Sequence, residues 1–277
     1  VLIWLNGELI EESEARVSVF DHGLTVGDGV FETAKVVDGV PFALSRHIAR
    51  LERSATGLGL PRPDAEIVRK ACTEVAAQAR GQAMHRLRIT YTGGPSPLGS
   101  QRGDAGPTLV VAIAAAADMP ATTPVAVVPW RRNERSAVTG LKTTSYGENV
   151  VALARAHAAG ASEALFADTR DRLCEGTGSN VFVVVDGQAL TPSLSSGCLA
   201  GVTRALVLEW TEATETDLDL DVLNSAEEIF LTSSTRDVQA VESVRGDTRR
   251  RDLPAPGPVT ARIAATFAER SAADLDP

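Results

Sequence analysis

Lysine is the scarce residue of this chain: of 27 basic residues only three are lysines, Lys35, Lys70 and Lys142. Drift in a GC-rich genome accounts for most of the shortage, since it exchanges Lys for Arg wherever only a solvated positive charge is wanted. A lysine kept against such drift is a candidate amine, because an ammonium can lose its proton and attack a carbonyl while a guanidinium stays charged. Cysteine is rare as well. Cys72, Cys174 and Cys198 are odd in number and show no metal-ligand spacing, which argues against a disulfide framework and makes a reduced, cytoplasmic setting the expectation. Positive charge is in deficit: 27 basic against 36 acidic residues leave a net charge of -9. A general nucleic-acid role, which needs a basic stripe for phosphates, is therefore not expected. The one basic run, Arg249 to Arg251, reads as a solvated loop tip. Long apolar runs are missing too. The longest uncharged one, Leu109 to Ala117, is far too short to cross a bilayer, so no membrane partner is expected. No secretory pattern opens the chain, and the missing initiator Met reads as trimming at that end.

What is present is an ordinary globular composition, 44% hydrophobic and 23% charged over 277 residues, a length that suits two modest domains or one large one. Leu2–Leu5, Asn6-Gly7 and Glu8–Ile10 form a hairpin with the favoured Asn-Gly turn. Val30 to Val37 predicts a strand, continued by Val40 to Leu44 after Asp38-Gly39. Ser45 then caps a helix whose Ile48, Leu51, Ala55 and Leu58 recur at helical spacing. A second helix carries Ile67, Ala71, Val75 and Ala76, and Leu87–Thr92 and Thr108–Ala114 read as two more strands. These give a small N-terminal α/β domain over 1–117. The Pro- and Thr-rich stretch 118–124 reads as a linker to a larger domain over 125–277. In that second part strands at Val125–Val128, Ala164–Ala167, Arg172–Cys174, Val181–Val185 and Ile229–Leu231 alternate with helices around Ala152–Ala159, Val202–Trp210 and Val259–Arg270.

Lys35 lies in an alternating strand and Lys70 on a helix's polar side, and both read most simply as solvated charges. Lys142 sits between a strand and a helix, where a side chain can enter a cleft, although a surface lysine is the plain alternative. Gly201-Val202-Thr203 at a helix start offers free backbone N–H groups and a hydroxyl, which suit a phosphate. Thr232-Ser233-Ser234-Thr235 at a strand end offers more of the same, while ordinary caps and turns use these residues routinely. An amine together with phosphate turns is the chemistry of pyridoxal 5'-phosphate (PLP), whose ring also wants an acid near its pyridine nitrogen. Glu175, between two predicted strands, can supply it; a solvated turn glutamate is the competing reading.

In this order the motifs resemble the fold-type IV PLP enzymes: Gly27-Asp28-Gly29-Val30-Phe31-Glu32, His47-Ile48-Ala49-Arg50-Leu51, Lys142, Glu163-Ala164-Leu165, Glu175-Gly176 with Asn180-Val181-Phe182, Leu190-Thr191-Pro192 and Gly201-Val202-Thr203-Arg204. The resemblance covers nearly the whole chain. It implies an α/β (α+β) fold in which a small N-terminal α/β domain precedes a larger C-terminal domain with a β-barrel-like core, with PLP as cofactor. It makes Lys142 the Schiff-base lysine and proton shuttle, Glu175 the partner of the pyridine nitrogen, and Arg50 the phosphate-binding arginine. Val202 and Thr203 become the helix-start phosphate contacts, and Ser233 and Ser234 the second phosphate turn. His47 is left to packing or hydrogen bonding, and His22, His85 and His157 to core or surface roles. Homodimers with the site near the interface are usual in such a family.

Within that group Asp28 and its neighbours are most like 4-amino-4-deoxychorismate lyases and D-amino-acid aminotransferases. The latter usually carry an Arg-x-His arrangement in the loop after the strand matching Leu87–Thr92, and here that loop holds no Arg or His before Arg102; it departs equally from lyases that carry an Arg there, so the carboxylate anchor is unassigned. The expected reaction is therefore elimination from 4-amino-4-deoxychorismate to give 4-aminobenzoate and pyruvate, as in folate biosynthesis. Lys142 would take the proton from the amine-bearing carbon, and the enolpyruvyl group would leave as the ring aromatises. The alternative is a class IV aminotransferase acting on D-amino acids, branched-chain amino acids or amines. Phe31, Thr33, Tyr91 and Tyr146 are the hypothetical pocket residues. Arg88, Arg102, Arg131 and Arg132 are the candidates for holding a small, anionic amino substrate.

Overall fold

The computed structural model describes residues 1–79, 84–117, 119–246 and 250–277. Two compact units emerge, one made of Val1–Asp118, Leu141–Tyr146 and Asp274–Pro277, the other of Met119–Gly140 and Gly147–Ala273.

The first unit contains β1 (Leu2–Leu5), β2 (Glu8–Glu11), the short α1 (His22–Thr25), β3 (Gly29–Val37), β4 (Val40–Pro41), α2 (Leu44–Gly57), α3 (Ala65–Ala76), β5 (His85–Thr92) and β6 (Thr108–Ala115). Its sheet runs β2-β1-β6-β5-β3-β4 and is antiparallel throughout. Strand alternation divides the long β3 and β5 between two faces. Val30 and Val36 with Leu87, Ile89 and Tyr91 point into a core shared with Leu44, Ile48, Leu51 and Ala55 of α2 and with Val68, Ala71, Cys72 and Val75 of α3. Each such buried Leu or Ile contributes roughly 1.5–3 kcal/mol. Phe31, Thr33 and Lys35 alternate onto the other face, opposite Thr90, Arg88 and Arg86.

Several local expectations change here. The strand expected over Val40–Leu44 is only Val40–Pro41, because α2 begins at Leu44. Ser45 does not cap that helix; it is already helical, and Ala43 at the cap position bonds through no side chain. The cap comes from the far end of the chain: the Asp276 carboxylate accepts from Ser45 N (2.7 Å) and Ser45 Oγ (2.5 Å), and Arg46 Nε donates to Pro277 O at 2.7 Å. Lys35 is not a solvated charge but buried, its Nζ 4.6 Å from the centre of the Phe42 ring. Lys70 remains at the surface, beside Glu74.

The second unit contains β7 (Thr122–Arg132), α4 (Gly147–Ala158), β8 (Glu163–Asp168), β9 (Leu173–Gly176), β10 (Asn180–Val185), β11 (Gln188–Pro192), α5 (Val202–Trp210), β12 (Thr214–Thr216), β13 (Glu228–Ser233), β14 (Asp237–Arg245), β15 (Arg250–Asp252) and α6 (Pro258–Ala273). Its sheet runs β12-β11-β10-β13-β14-β7-β8-β9, with β15 on β14. The terminal strand β9 also lies against β10, so the sheet curls back in a barrel-like way. Strand β14 has no counterpart among the sequence-based expectations, since Gln239 and Ser243 are buried in it and blur the apolar pattern.

Of the linker expected over 118–124, Asp118 lies outside the described residues, and Thr122 to Pro124 already belong to β7. Pro124 is tolerated in a strand because the ladder with β14 slips there, between Val241 and Ser243. Of the arginine run, Arg249 lies outside the described residues; Arg250 and Arg251 belong to β15 rather than to a loop, and Arg251 donates to the Leu223 and Ala226 carbonyls. No helix among the described residues is long and apolar enough to cross a membrane.

Candidate active site

Lys142 and its neighbours belong with the first unit, although the sequence boundaries put them in the C-terminal domain. The reason is backbone pairing along the start of β3. Phe31 N donates to Lys142 O (2.9 Å), Thr144 N donates to Gly29 O (2.8 Å), and Val30 bridges Thr143. Lys142 N donates to Ser54 Oγ of α2 at 3.1 Å. So held, the half-buried Lys142 sends its Nζ to 3.4 Å from Tyr146 Oη and 4.4 Å from the centre of the Phe31 ring. Tyr146 meets Phe31 edge-on at 5.0 Å. The Arg88 guanidinium stacks 3.4 Å from the same Phe31 ring centre, and Thr33 faces Arg88 across the ladder. Thus Lys142, Phe31, Tyr146, Arg88 and Thr33 share one face. Tyr91 does not join them; alternation turns it into the helix-packed core.

Among the four candidate arginines, carboxylates already take three. Arg102 donates to both oxygens of Asp28 (2.6 and 2.7 Å) and to the Leu58 and Gly59 carbonyls. Its hydrogen bond is the main reason that the Asp28 carboxyl lies below its ordinary range. Arg131 pairs with Asp171, and Arg132 with Glu148 and Glu175. Arg88 has no carboxylate partner among the described residues; its Nε donates only to Thr90 Oγ1, at 3.3 Å. Burial pushes its guanidinium down to about 10.

On the opposite face of β3, Glu32 interrupts the apolar phase and is fully buried. It accepts from Arg50 Nε and Nη2, each at 2.7 Å, and lies 2.7 Å from His47 Nδ1. Burial alone would raise the Glu32 carboxyl, yet Arg50 and His47 hold it well below the usual carboxylate range. Burial likewise depresses His47, which keeps its ring neutral and donating. Glu32 was absent from the expected site. The signal was available: a charge in the buried phase of a strand needs a partner, and His47 and Arg50 stand three residues apart on one helix face. His22 too has partners, 3.4 Å from Asp28 Oδ2 and 3.2 Å from Pro97 O.

In the second unit Glu175 lies within β9, opposite Phe166, rather than between strands. Its Oε2 accepts from Leu199 N at 2.9 Å, and Arg132 Nε approaches Oε1 to 3.4 Å. Asn180 holds the other side of the same peptide segment, its Nδ2 donating to Leu199 O at 2.9 Å. The chain then enters α5 through Gly201, a cap position without a side-chain hydrogen bond. A Cβ on Gly201 would stand 2.0 Å from Asn180 Oδ1, so only glycine lets this turn close. Val202 and Thr203, both buried, follow with first-turn N–H groups that no cap side chain satisfies. Thr232, directly across the ladder from Asn180, has a buried hydroxyl with no hydrogen-bond partner among the described residues. Ser233 ends β13 and accepts from Arg236 N at 3.2 Å, with Ser234 next in the turn. An unpartnered hydroxyl, an uncapped helix start and a second hydroxyl turn form a donor set suited to a phosphate. The residues present therefore fit PLP. Among the described residues there is no group of three or more His, Cys, Asp or Glu able to hold a metal ion.

Comparison with known proteins agrees with this chemistry. A Methanocaldococcus jannaschii protein with the provisional name branched-chain-amino-acid aminotransferase is 33% identical over 258 residues, 88% of each chain. A Bacillus licheniformis D-alanine aminotransferase is 32% identical over 94% of both chains. The Bacillus subtilis aminodeoxychorismate lyase is 30% identical over 86% of this chain and 84% of its own. Among solved structures, a T.th. branched-chain amino acid aminotransferase with pyridoxamine 5'-phosphate matches with a TM-score of 0.86 and 27% identity, covering 97% of this chain and 93% of that one. The family model for amino-transferase class IV matches residues 29–244. With its curled mixed sheet, its lysine amine and its phosphate-type turns, this chain belongs to the class IV aminotransferase family of PLP-dependent enzymes.

Proposed function

We propose that this chain is a PLP-dependent lyase acting on 4-amino-4-deoxychorismate, a small anionic amino substrate with two carboxylates, and releasing 4-aminobenzoate and pyruvate. One observation carries the choice: Arg88 is half-buried, without a carboxylate partner among the described residues, and on the same sheet face as Lys142. Arg86, two residues earlier on β5, alternates onto that face as a second cation. Two arginines suit a dicarboxylate better than they suit an aliphatic side chain.

Bound PLP would supply a carbonyl that captures the substrate amine and an electron sink for the charge left by proton loss. The residues of the chain do the rest. Lys142 Nζ removes the proton at the amine-bearing carbon, with Tyr146 Oη within reach to steady it. The Phe31 and Tyr146 rings shield that amine from water, while Arg88 and Thr33 orient the substrate. Glu175, beside Arg132 and oriented by Leu199 N, keeps a proton on the ring nitrogen. Val202, Thr203, Ser233 and Ser234 hold the phosphate. In this reading Arg50 is the phosphate arginine, braced by Glu32 and His47.

A homodimer belongs to the same reading. The exposed apolar side chains of Val17, Val19, Phe20, Leu24, Val26 and Leu98 in the first unit support it, and a second copy is a natural cover for them. Three buried free cysteines accord with a reduced cytoplasmic setting.

Amino transfer is the second reading, favoured by the names of the 33% and 32% identical relatives. Under it Lys142 Nζ would carry the abstracted proton back in place of elimination, and a keto acid would complete the cycle. The test is an assay of the PLP-loaded protein with aminodeoxychorismate and no keto acid, beside a panel of D- and L-amino acids with keto acids. Pyruvate release in the first arm is expected. Amine exchange without any lyase turnover would overturn the choice in favour of the second reading.

A further inference from the structure

Glu163 and Arg236 form an ion pair to which none of the steps above gives a role. Glu163 opens β8 and is 3% exposed. Its Oε1 accepts from Thr177 Oγ1 (2.5 Å) and Gly178 N (2.8 Å), in the turn that directly follows Glu175. Its Oε2 accepts from Arg236 Nη2 at 2.9 Å. Arg236 in turn closes the loop that carries Ser233 and Ser234: its backbone N donates to the Ser233 carbonyl and hydroxyl, both at 3.2 Å. Its Nη1 donates to Gln239 Oε1, and Gln239 Nε2 anchors on Pro120 O at 2.6 Å. One buried carboxylate therefore grips two turns at once.

Strands β9 and β13 share no ladder. The backbone joins their ends only through the 177–179 turn and Asn180, which pairs with Thr232, and the Glu163–Arg236 pair is the direct side-chain tie between the two turns. A fully hydrogen-bonded buried carboxylate with a guanidinium partner is rigid, because every alternative geometry leaves a charge unpaired.

We propose that Glu163 and Arg236 are positioning residues whose ion pair sets the spacing between Glu175 and the Ser233–Ser234 turn. The proposal rests on the reading above, in which Glu175 serves the ring nitrogen and Ser233 and Ser234 the phosphate. A ligand that engages both turns gains from their fixed separation as a two-handed ligand gains from effective concentration. A ligand that engages only one turn gains nothing from it.

The experiment compares three probes on the apo form of the full chain: PLP, phosphate-free pyridoxal, and inorganic phosphate. Dissociation constants are measured by absorbance titration and by competition for wild type, Glu163→Gln, Arg236→Lys and the double variant. We expect PLP affinity to fall about tenfold or more in each single variant, equivalent to about 1.4 kcal/mol or more. Pyridoxal and phosphate should each stay within about threefold, and the double variant should lose little more than either single one. Should Glu163→Gln not fold, Arg236→Lys carries the test, since it alters a partly exposed partner and preserves the charge. Equal losses for all three probes mean general structural damage and overturn the proposal, as does an unchanged PLP affinity. Wild-type protein that takes up no PLP overturns the cofactor reading and this proposal with it. Normal wild-type uptake with indifferent variants overturns this proposal alone.

Discussion

Replacing Glu32 by Gln is the sharpest perturbation of the first unit. The side chain is fully buried and accepts two hydrogen bonds from Arg50 and one from His47, each at 2.7 Å. Glutamine has nearly the same volume, so packing is preserved and only electrostatics change. One carboxylate oxygen becomes an NH2 group facing a donor, and Arg50 loses the Glu32 counter-charge in a buried site. Breaking a buried pair in this way costs about 3–5 kcal/mol, and the remaining carbonyl puts the variant near the lower end. At about 2–4 °C per kcal/mol for a chain of roughly this size, the midpoint should fall by about 6–12 °C. Trp4 lies in the core of this unit, whereas Trp130 and Trp210 belong to the other. Unfolding followed by Trp4 fluorescence in a Trp130→Phe, Trp210→Phe background therefore reports the relevant unit. The effect also has a pH signature. The folded Glu32 carboxyl sits below its unfolded value, so its contribution is complete above about pH 4.3 and is lost as the pH falls through the folded value. His47, depressed by burial, adds a loss of stability that begins as the pH falls below about 6.5. The gap between wild type and Glu32→Gln should thus be widest near neutrality and narrow below about pH 4. Adding Arg50→Met should restore part of the loss, giving a coupling of about 1.5 kcal/mol or more. A Glu32→Gln variant within about 1 kcal/mol of wild type at pH 7, or a gap that ignores pH, would refute the argument that this charge cluster anchors α2.

Two further substitutions test the site. Gly201→Ala should weaken PLP binding about tenfold, because its Cβ would stand 2.0 Å from Asn180 Oδ1 and displace the start of α5; titration of the apo protein checks it, and unchanged affinity counts against a phosphate at that helix start. Arg88→Gln should raise KM for a dicarboxylate substrate about ten- to a hundredfold while kcat changes less than about threefold. Steady-state kinetics decide the point, and an unchanged KM removes Arg88 as the anchor.

The local chemistry of the chain is largely legible in its residues. Hairpin turns, the two amphipathic helices of the first unit, the glycine-led start of α5 and the ordered motifs around Lys142 and Glu175 all rest on residues close in sequence. Their signals are periodicity, glycine placement and hydroxyl-rich turns, which act over a few residues. What stays hidden there is the partner of each charged group. Lys35 and Arg102 look like free cations in sequence, yet one is buried against Phe42 and the other is taken by Asp28. Ser45 looks like a helix cap, yet that role falls to a carboxylate 231 residues away. Lys142 lies well past the expected domain boundary, yet it pairs with β3 and belongs to the first unit.

The sequence by itself determined the family and the cofactor chemistry and singled out Lys142 as the candidate amine, since these depend on residue types in a fixed order. Tertiary structure alone decided that Glu32 braces Arg50, that Tyr91 turns away from Lys142, and that of four candidate arginines Arg88 is the one no carboxylate among the described residues claims. The division has a physical cause. Backbone preference and side-chain type are local, whereas burial and charge pairing are settled only when strands and helices distant in the chain close on one another.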